Sequence, residues 1–135
     1  MIPALGYGTM GLSGHYGGID DDETRFKVLD RAYELGMRFW DSSDMYGDSE
    51  VLIGKWFIRT GKRNEIFLST KFGYTATPDG QFLLRSDPEY VKESCDRSLK
   101  RLGIDSIDLF YMHVADKKTP IEDTVEAMVE LKKYR

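Results

Sequence analysis

Short apolar runs alternate with longer amphipathic segments along the whole chain. The runs at residues 4–10, 37–41, 65–71 and 107–113 have the length of β-strands and are bounded by glycine or polar residues. The third run is centred on Ile66-Phe67-Leu68, and such a continuous apolar centre suits a parallel strand that is covered on both faces. The pattern therefore predicts four strands.

Each predicted strand is followed by a segment whose apolar residues recur at helical spacing. In the first segment Phe26, Leu29 and Ala32 form the stripe that we expect to be buried. Asp, Ser or Thr stands at each predicted helix start, and glycine follows three of the four helices. The helices are predicted to begin near residues 20–22, 48–49, 86–87 and 119–120 and to end near residues 36, 61, 103 and 135.

Two segments have no clear periodicity. Residues 11–18 are rich in glycine and predict a flexible loop over any site at that end, where His15 and Tyr16 can meet a substrate. Residues 72–85 predict a longer loop, with Pro78-Asp79-Gly80 as its turn.

The strand–helix unit occurs four times in a single domain that spans residues 1–135. Strands that alternate with helices imply a parallel sheet with right-handed crossovers. Two architectures fit this order, an open α/β sheet or part of a (β/α)₈ barrel. A whole barrel takes about 250 residues, so four units correspond to about half of one.

The charge of the chain argues against nucleic acid and anionic membranes as binding partners. The net charge is −4 and the sequence pI is about 5.2, which leaves no basic surface for nucleic acid or an anionic membrane. There is no apolar run long enough for a membrane span and no signal peptide, so a cytoplasmic location is expected. The single Cys95 excludes an internal disulfide and fits a reducing compartment.

Four chemically active side chains stand at or just after predicted strand ends. Asp41 ends the second strand, Tyr46 lies in the loop after it, and Lys71 and His113 end the third and fourth strands. Because parallel strands end at the same edge, these groups can converge on one site. No group of residues has the spacing of a metal site.

The combination predicts a proton-transfer site. A tyrosine hydroxyl is a weak acid, and a nearby ammonium such as that of Lys71 favours its ionised form. Asp41 would keep the ammonium charged and in place, and a neutral His113 could donate a hydrogen bond to a substrate carbonyl. A phenol activated in this way contributes about 10²–10⁴-fold to a rate.

Four motifs carry a family resemblance. The run Phe-Trp-Asp-Ser-Ser-Asp-Met-Tyr-Gly-Asp-Ser-Glu-x-x-x-Gly at residues 39–54 resembles the signature of the aldo-keto reductases. The runs at residues 69–73 and 108–113 resemble the family segments that contain its lysine and its histidine, and residues 6–11 resemble its first strand. The resemblance covers essentially the whole chain, with the motifs in the family order.

The resemblance implies the N-terminal half of a TIM-type (β/α)₈ barrel and the transfer of a hydride between NADPH and an aldehyde or ketone. Tyr46 would be the general acid and base, Asp41 and Lys71 would tune it, and His113 would position the carbonyl. No metal ligand is expected among these residues.

The same resemblance assigns the nicotinamide end of NADPH/NADP⁺ to Gly8, Thr9 and Met10, together with Asp41. In the family, strands five to eight supply the contacts to the carboxamide, the pyrophosphate and the 2′-phosphate, and these strands have no counterpart here. The chain is thus expected to be truncated relative to the family.

Two departures from the family pattern bear on substrate preference. Ser43-Asp44 replaces the more common Ala-x of the signature, and Val114 follows the histidine where a polar residue is frequent.

Two alternatives to an active reductase stay open. One is a catalytically inactive half-barrel that pairs its open edges with a second copy or another partner. The other is an open four-stranded α/β binding domain that is unrelated to barrels.

Overall fold

Four parallel strands form the central sheet of the computed structural model, which describes residues 3–77 and 79–134, the last of these by its backbone alone. The strands are β1 (Gly6–Gly8), β2 (Phe39–Asp41), β3 (Phe67–Phe72) and β6 (Leu109–Met112). Their spatial order is β1-β2-β3-β6, so each strand pairs with the next strand of the predicted series. The order does not reverse, as it does in doubly wound sheets.

The helices follow the predicted periodicity. They are α1 (Asp22–Glu34), α2 (Ser49–Thr60), α3 (Pro88–Leu102) and α4 (Ile121–Tyr134). The carboxylates of Asp21 and Asp87 accept hydrogen bonds from backbone N–H groups in the first turns of α1 and α3. Asp48 precedes α2 but makes no such cap, because its carboxylate accepts from Arg25 and Ser13 instead.

The segment at residues 72–85 was wrongly predicted as a loop. It contains an antiparallel hairpin of β4 (Tyr74–Ala76) and β5 (Phe82–Leu84). Backbone bonds from Thr77 to Gln81 and from Gly80 to Thr77 close the hairpin, while Pro78 of the predicted turn lies outside the described residues. Two three-residue strands are too short to show a periodicity of their own.

Gly73 immediately precedes the hairpin, and the backbone conformation there requires glycine. This residue has φ +130°, and a Cβ there would lie 2.9 Å from the carbonyl oxygen of Val114. Only glycine permits both the backbone conformation and this close approach. The hairpin is therefore held against the segment that follows β6.

The helices pack on one face of the sheet. Tyr7, Trp40 and Leu68 lie in register on this face and pack with α1 and α2, and Trp40 and Trp56 have ring centroids 4.7 Å apart. Phe72 and Phe110 continue the same face towards α3 and α4.

The other face of the sheet carries side chains of a different kind. Phe39 and Phe67 make an edge-to-face contact near its lower end, and Leu109 is exposed there. Asp41, Lys71 and other polar residues occupy the upper end. In a closed barrel this face would be the interior, and in the described chain it has no covering layer.

We predict that Gly54→Ala destabilises the fold by about 1–3 kcal/mol, although alanine favours helices more than glycine does. A Cβ at Gly54 in α2 would lie 2.5 Å from the backbone oxygen of Leu102 at the end of α3, so the two helices would have to separate. Urea unfolding measures the change. Gly17→Ala is the matched control, since a Cβ there has no atom within 4 Å. Equal midpoints for the two variants would contradict the prediction.

Candidate active site

A partly buried ion pair joins the ends of β2 and β3. The Lys71 ammonium lies 2.6 Å from Oδ2 of Asp41 and also donates to the backbone oxygen of Ser42 at 2.8 Å. Burial lowers the pKa of Lys71, but the hydrogen bond and charge of Asp41 outweigh this effect, and the net change is upward. Lys71 therefore stays charged although it is only 6 % exposed.

Asp41 is held at both carboxylate oxygens. Oδ1 accepts hydrogen bonds from the hydroxyls of Ser69 at 2.6 Å and Tyr111 at 2.7 Å, while Oδ2 faces Lys71. Burial raises the pKa of Asp41, and the hydrogen bonds from Lys71, Ser69 and Tyr111 outweigh it, so the pKa lies below its ordinary value. This carboxylate is an anion at neutral pH with fixed orientation.

Neither Ser69 nor Tyr111 was identified from the sequence. Ser69 pairs with Asp41 in the β2–β3 register, and Tyr111 pairs with Lys71 in the β3–β6 register. One signal was available, since Tyr111 lies two residues before His113 and alternate strand residues share a face.

The Tyr46 hydroxyl lies beside the ammonium. Its distance from Nζ of Lys71 is 3.4 Å, and Nζ lies 4.9 Å from the Tyr46 ring centroid. Although Tyr46 belongs to the loop after β2, its side chain is buried. Backbone bonds to Ser43 and Ser49 fix this loop as a tight turn into α2.

His113 follows β6 and lies beside Tyr46 at the same end of the sheet. Its ring contacts Tyr46 edge-on at 5.9 Å and Tyr74 of the hairpin at 5.0 Å. Burial lowers the pKa of His113, the charge of Lys71 lowers it further, and Asp41 acts weakly in the opposite direction. The imidazole is therefore neutral at neutral pH. Its Nδ1 lies 3.3 Å from the hydroxyl of Ser43.

The segment after β1 lies beside these groups. Gly8 is exposed and pairs with Asp41 in the β1–β2 register, and a Cβ at Gly8 would meet no atom within 4 Å. Thr9 was predicted to approach the nicotinamide end of the cofactor, and that contact stays a prediction. It is fully buried, and its N–H and hydroxyl both donate to the backbone oxygen of Asp41. Thr9 therefore supports the backbone of Asp41.

The remaining residues of this segment form a short 3₁₀ turn (Met10–Ser13) where a flexible loop was predicted. Met10 is half-buried. Of the two loop residues named from the sequence, His15 contacts the Tyr46 ring at 5.6 Å and Tyr16 is largely exposed.

A second polar cluster lies behind the site, between α2 and α3. The carboxylate of Asp44 approaches the Tyr90 hydroxyl at 3.3 Å and Arg97 at 3.8 Å, and Arg101 bridges the Asp44 backbone oxygen and the Glu50 carboxylate. Burial, assisted by the charge of Glu50, raises the pKa of Asp44 to about 6. Sequence patterns did not indicate this cluster, because its burial arises from the packing of α2 on α3.

Neither a metal cluster nor a membrane-crossing helix is found in the parts of the chain that the structure describes. No three His, Cys, Asp or Glu side chains there come together as metal ligands. No helix within residues 3–77 and 79–134 combines the length and hydrophobicity needed to cross a bilayer.

Fold and site together define a half-barrel with a cluster of titratable side chains at the carboxyl ends of its strands. The chain belongs to the aldo/keto reductase family, whose family model matches residues 4–134. It is 57% identical over 138 residues to the aldo-keto reductase str7 of Strobilurus tenacellus, covering 98% of this chain and 40% of that protein. It is 50% identical over 130 residues to the aldo-keto reductase yakc [NADP(+)] of Schizosaccharomyces pombe, covering 94% of this chain and 38% of that one.

Solved structures agree with the fold. A holo form of the aldo-keto reductase AKR11C1 from Bacillus halodurans aligns with a TM-score of 0.82 and 33% identity, over 96% of this chain and 42% of that chain. A putative aldo-keto reductase from Pseudomonas aeruginosa aligns with a TM-score of 0.79 and 29% identity, over 98% and 51%. The chain thus spans about two fifths of the curated relatives it matches, and the prediction of half a TIM-type barrel is confirmed.

We predict that Asp44→Asn stabilises the chain at pH 8 by up to about 3 kcal/mol. The pKa of Asp44 is higher in the folded state than in the unfolded state, so the folded protein carries the full cost of the buried charge at pH 8. This cost disappears as the pH falls through 6 towards 4, and the two proteins should then become equally stable. Chemical unfolding at pH 8, 6 and 4 measures the difference, and a gap that does not change with pH would contradict the assignment.

Proposed function

We propose that this site reduces aldehydes or ketones to alcohols with NADPH as the hydride donor. The observation that carries the proposal is the Tyr46 hydroxyl 3.4 Å from a buried lysine ammonium that the Asp41 carboxylate keeps charged. Two relatives support the choice of cofactor, since the S. pombe protein is named for NADP(+) and the B. halodurans structure is a holo form.

Each residue has a distinct part in the proton transfer. Tyr46 gives its proton to the substrate oxygen as negative charge develops there. The Lys71 ammonium stabilises the phenolate that remains, and Asp41 fixes the ammonium at 2.6 Å. His113, neutral and half-buried, presents a ring nitrogen to the same oxygen. Because Tyr46 is buried, few water molecules compete for its proton.

The residues beside Asp41 fit the nicotinamide end of a bound cofactor. Gly8 leaves open space next to the carboxylate, where a flat ring can approach the backbone. Bound NADPH would supply the hydride. Thr9 would hold Asp41 in place, and the half-buried Met10 would border the ring.

The phosphate end of the cofactor needs contacts from outside this cluster. Lys71 at the end of β3 faces the carboxylate of Asp41. On α3, Arg97 faces that of Asp44 and Arg101 that of Glu50. Their charges are already compensated, so they do not form a dedicated phosphate site. Binding of NADPH to this chain is therefore the first property to measure.

We predict that the 135-residue chain binds NADPH in isothermal titration calorimetry and reduces members of a panel of aldehydes and ketones. Tyr46→Phe should keep NADPH affinity and lose at least about 100-fold in kcat, because the proton donor is removed while the ring still fills its place. Ser42→Ala serves as the control, since it removes a buried hydroxyl that bonds only Ser49 among the described hydrogen bonds and keeps the backbone oxygen that accepts from Lys71. No binding at millimolar NADPH, or full activity in Tyr46→Phe, would overturn the proposal.

A second candidate function is self-association without catalysis, and the open edges of the sheet favour it. Within the described residues β1 pairs only with β2, and β6 only with β3. A two-fold axis along the barrel axis would place β6 of each copy beside β1 of the other. All eight strands would then be parallel, and neither edge would stay unpaired.

The helices at these edges also carry exposed apolar residues. Val28 of α1 is 42% exposed and lies away from α2, which contacts α1 through Asp30 and Tyr33. On α4, Val125 and Val129 are each nearly half exposed, whereas Thr124 and Ala127 are buried. A groove of about 460 Å³ runs between β6, α3 and α4. Surfaces of this kind are typical of interfaces.

We predict that light scattering gives a mass near twice the 15.5 kDa of one chain. Val125→Lys should shift the protein to the monomer, since it places a charge in the apolar groove. Ile58→Lys should leave the dimer intact, because this equally apolar and even more exposed residue lies on α2, away from both edges. A well-folded monomer, or equal effects of the two variants, would contradict this arrangement.

A further inference from the structure

The hydroxyl of Ser43 lies between three polar groups. Its Oγ is 3.3 Å from the backbone N–H nitrogen of Met45, 3.4 Å from Oδ1 of Asp44 and 3.3 Å from Nδ1 of His113. Ser43 is 1% exposed, so water does not replace any of these partners. The residue thus links the polar cluster between α2 and α3 to the histidine of the site.

A hydroxyl donates one hydrogen bond and accepts two. The N–H of Met45 can only donate, so it occupies one of the two acceptor positions of Ser43 Oγ. An ionised Asp44 can only accept, so it takes the Ser43 proton. The second acceptor position is then left for His113, which must donate from Nδ1. All three contacts are satisfied in this state, and Nε2 of His113 carries a lone pair.

A neutral Asp44 produces the opposite arrangement. Its carboxyl O–H donates to Ser43, the Ser43 proton turns to Nδ1 of His113, and the imidazole carries its proton on Nε2. All three contacts are again satisfied. We propose that Asp44, acting through Ser43, determines which ring nitrogen of His113 carries the proton.

The conversion between the two states balances in protons. Nε2 of His113 takes up one proton from the site, Nδ1 gives its proton to Ser43, and Ser43 gives its own to Asp44. The net change is one added proton, which neutralises Asp44, while the serine and the imidazole stay neutral. Ser43 and Asp44 are positioning residues in this scheme, since neither touches the reacting atoms.

The surroundings of Asp44 make both states accessible. Glu50 of α2 approaches it with a negative charge, while Arg97 and the Tyr90 hydroxyl of α3 favour the carboxylate, and Arg101 contacts its backbone oxygen. The side chain of Asp44 is 3% exposed. With a pKa of about 6, Asp44 is ionised at pH 8 and largely neutral at pH 5.

Under the proposed function, on which this step rests, the tautomer determines whether Nε2 of His113 donates a hydrogen bond to the substrate or accepts one from it. Nδ1 is engaged by Ser43, and Nε2 has no hydrogen-bond partner among the described residues. A protonated Nε2 can donate to a carbonyl oxygen, which suits reduction. A bare Nε2 can accept from an alcohol, which suits the reverse reaction. The tautomer itself does not depend on whether either reaction occurs.

Nuclear magnetic resonance of ¹⁵N-histidine-labelled protein tests the proposal at pH 8. The chain has only two histidines, so His15 provides an internal reference. We expect His113 of the unaltered protein to carry its proton on Nδ1. In Asp44→Leu the acceptor for Ser43 is lost, and the signals should change to those of the Nε2–H tautomer. In Ser43→Ala the Nδ1–H preference should be lost.

Ser42→Ala is the matched control, because this adjacent buried serine bonds Ser49 and not the histidine. It should keep the Nδ1–H tautomer. An Nε2–H tautomer in the unaltered protein at pH 8 overturns the proposal without any variant, so the test survives if Asp44→Leu does not fold. An unchanged tautomer in a folded Asp44→Leu also overturns it. Neither result depends on NADPH binding or turnover, so a failure of the proposed function is detected separately.

Discussion

The ion pair between Asp41 and Lys71 is the interaction on which the rest of the site depends. A buried ammonium without a partner would be strongly destabilising, and the 2.6 Å contact with Asp41 removes that penalty. Asp41 needs orientation in turn, which comes from the hydroxyls of Ser69 and Tyr111 and from the bonds of Thr9 to its backbone oxygen. The charge next to Tyr46 is thus the product of three adjacent strands in correct register.

This dependence explains which parts of the site could be predicted from the sequence. Asp41, Lys71 and His113 were identifiable because parallel strands end at a common edge, whatever their exact register. Ser69 and Tyr111 were not, because their contacts with Asp41 depend on the pairing register, which short apolar runs do not determine.

The fold likewise contains features that could be predicted from the sequence and features that could not. The number of helix-connected strands and their parallel direction were predicted from the alternation of strands and helices, and glycine marked the ends of α2 and α3 as predicted. The hairpin at residues 74–84 was missed because its strands have three residues each and its stability comes from contacts with the rest of the chain. The Tyr90 hydroxyl on the Tyr74 backbone oxygen and the close approach of Gly73 to Val114 are tertiary features that local propensity does not contain.

The loop between Asp41 and Tyr46 separates two carboxylates with opposite behaviour. Asp41 is stabilised as an anion by a lysine and two hydroxyls, so its charge is constant over the physiological range. Asp44 is three residues away, but its nearest cations are more distant and Glu50 lies close, so burial dominates and its pKa rises. One short turn therefore places a carboxylate of constant charge near the Tyr46 hydroxyl and a carboxylate of variable charge near His113. Because Ser43 is the only residue of this turn that contacts both Asp44 and His113 among the described hydrogen bonds, the alanine of the common signature at this position would keep the charge of Asp41 and remove the link between Asp44 and His113.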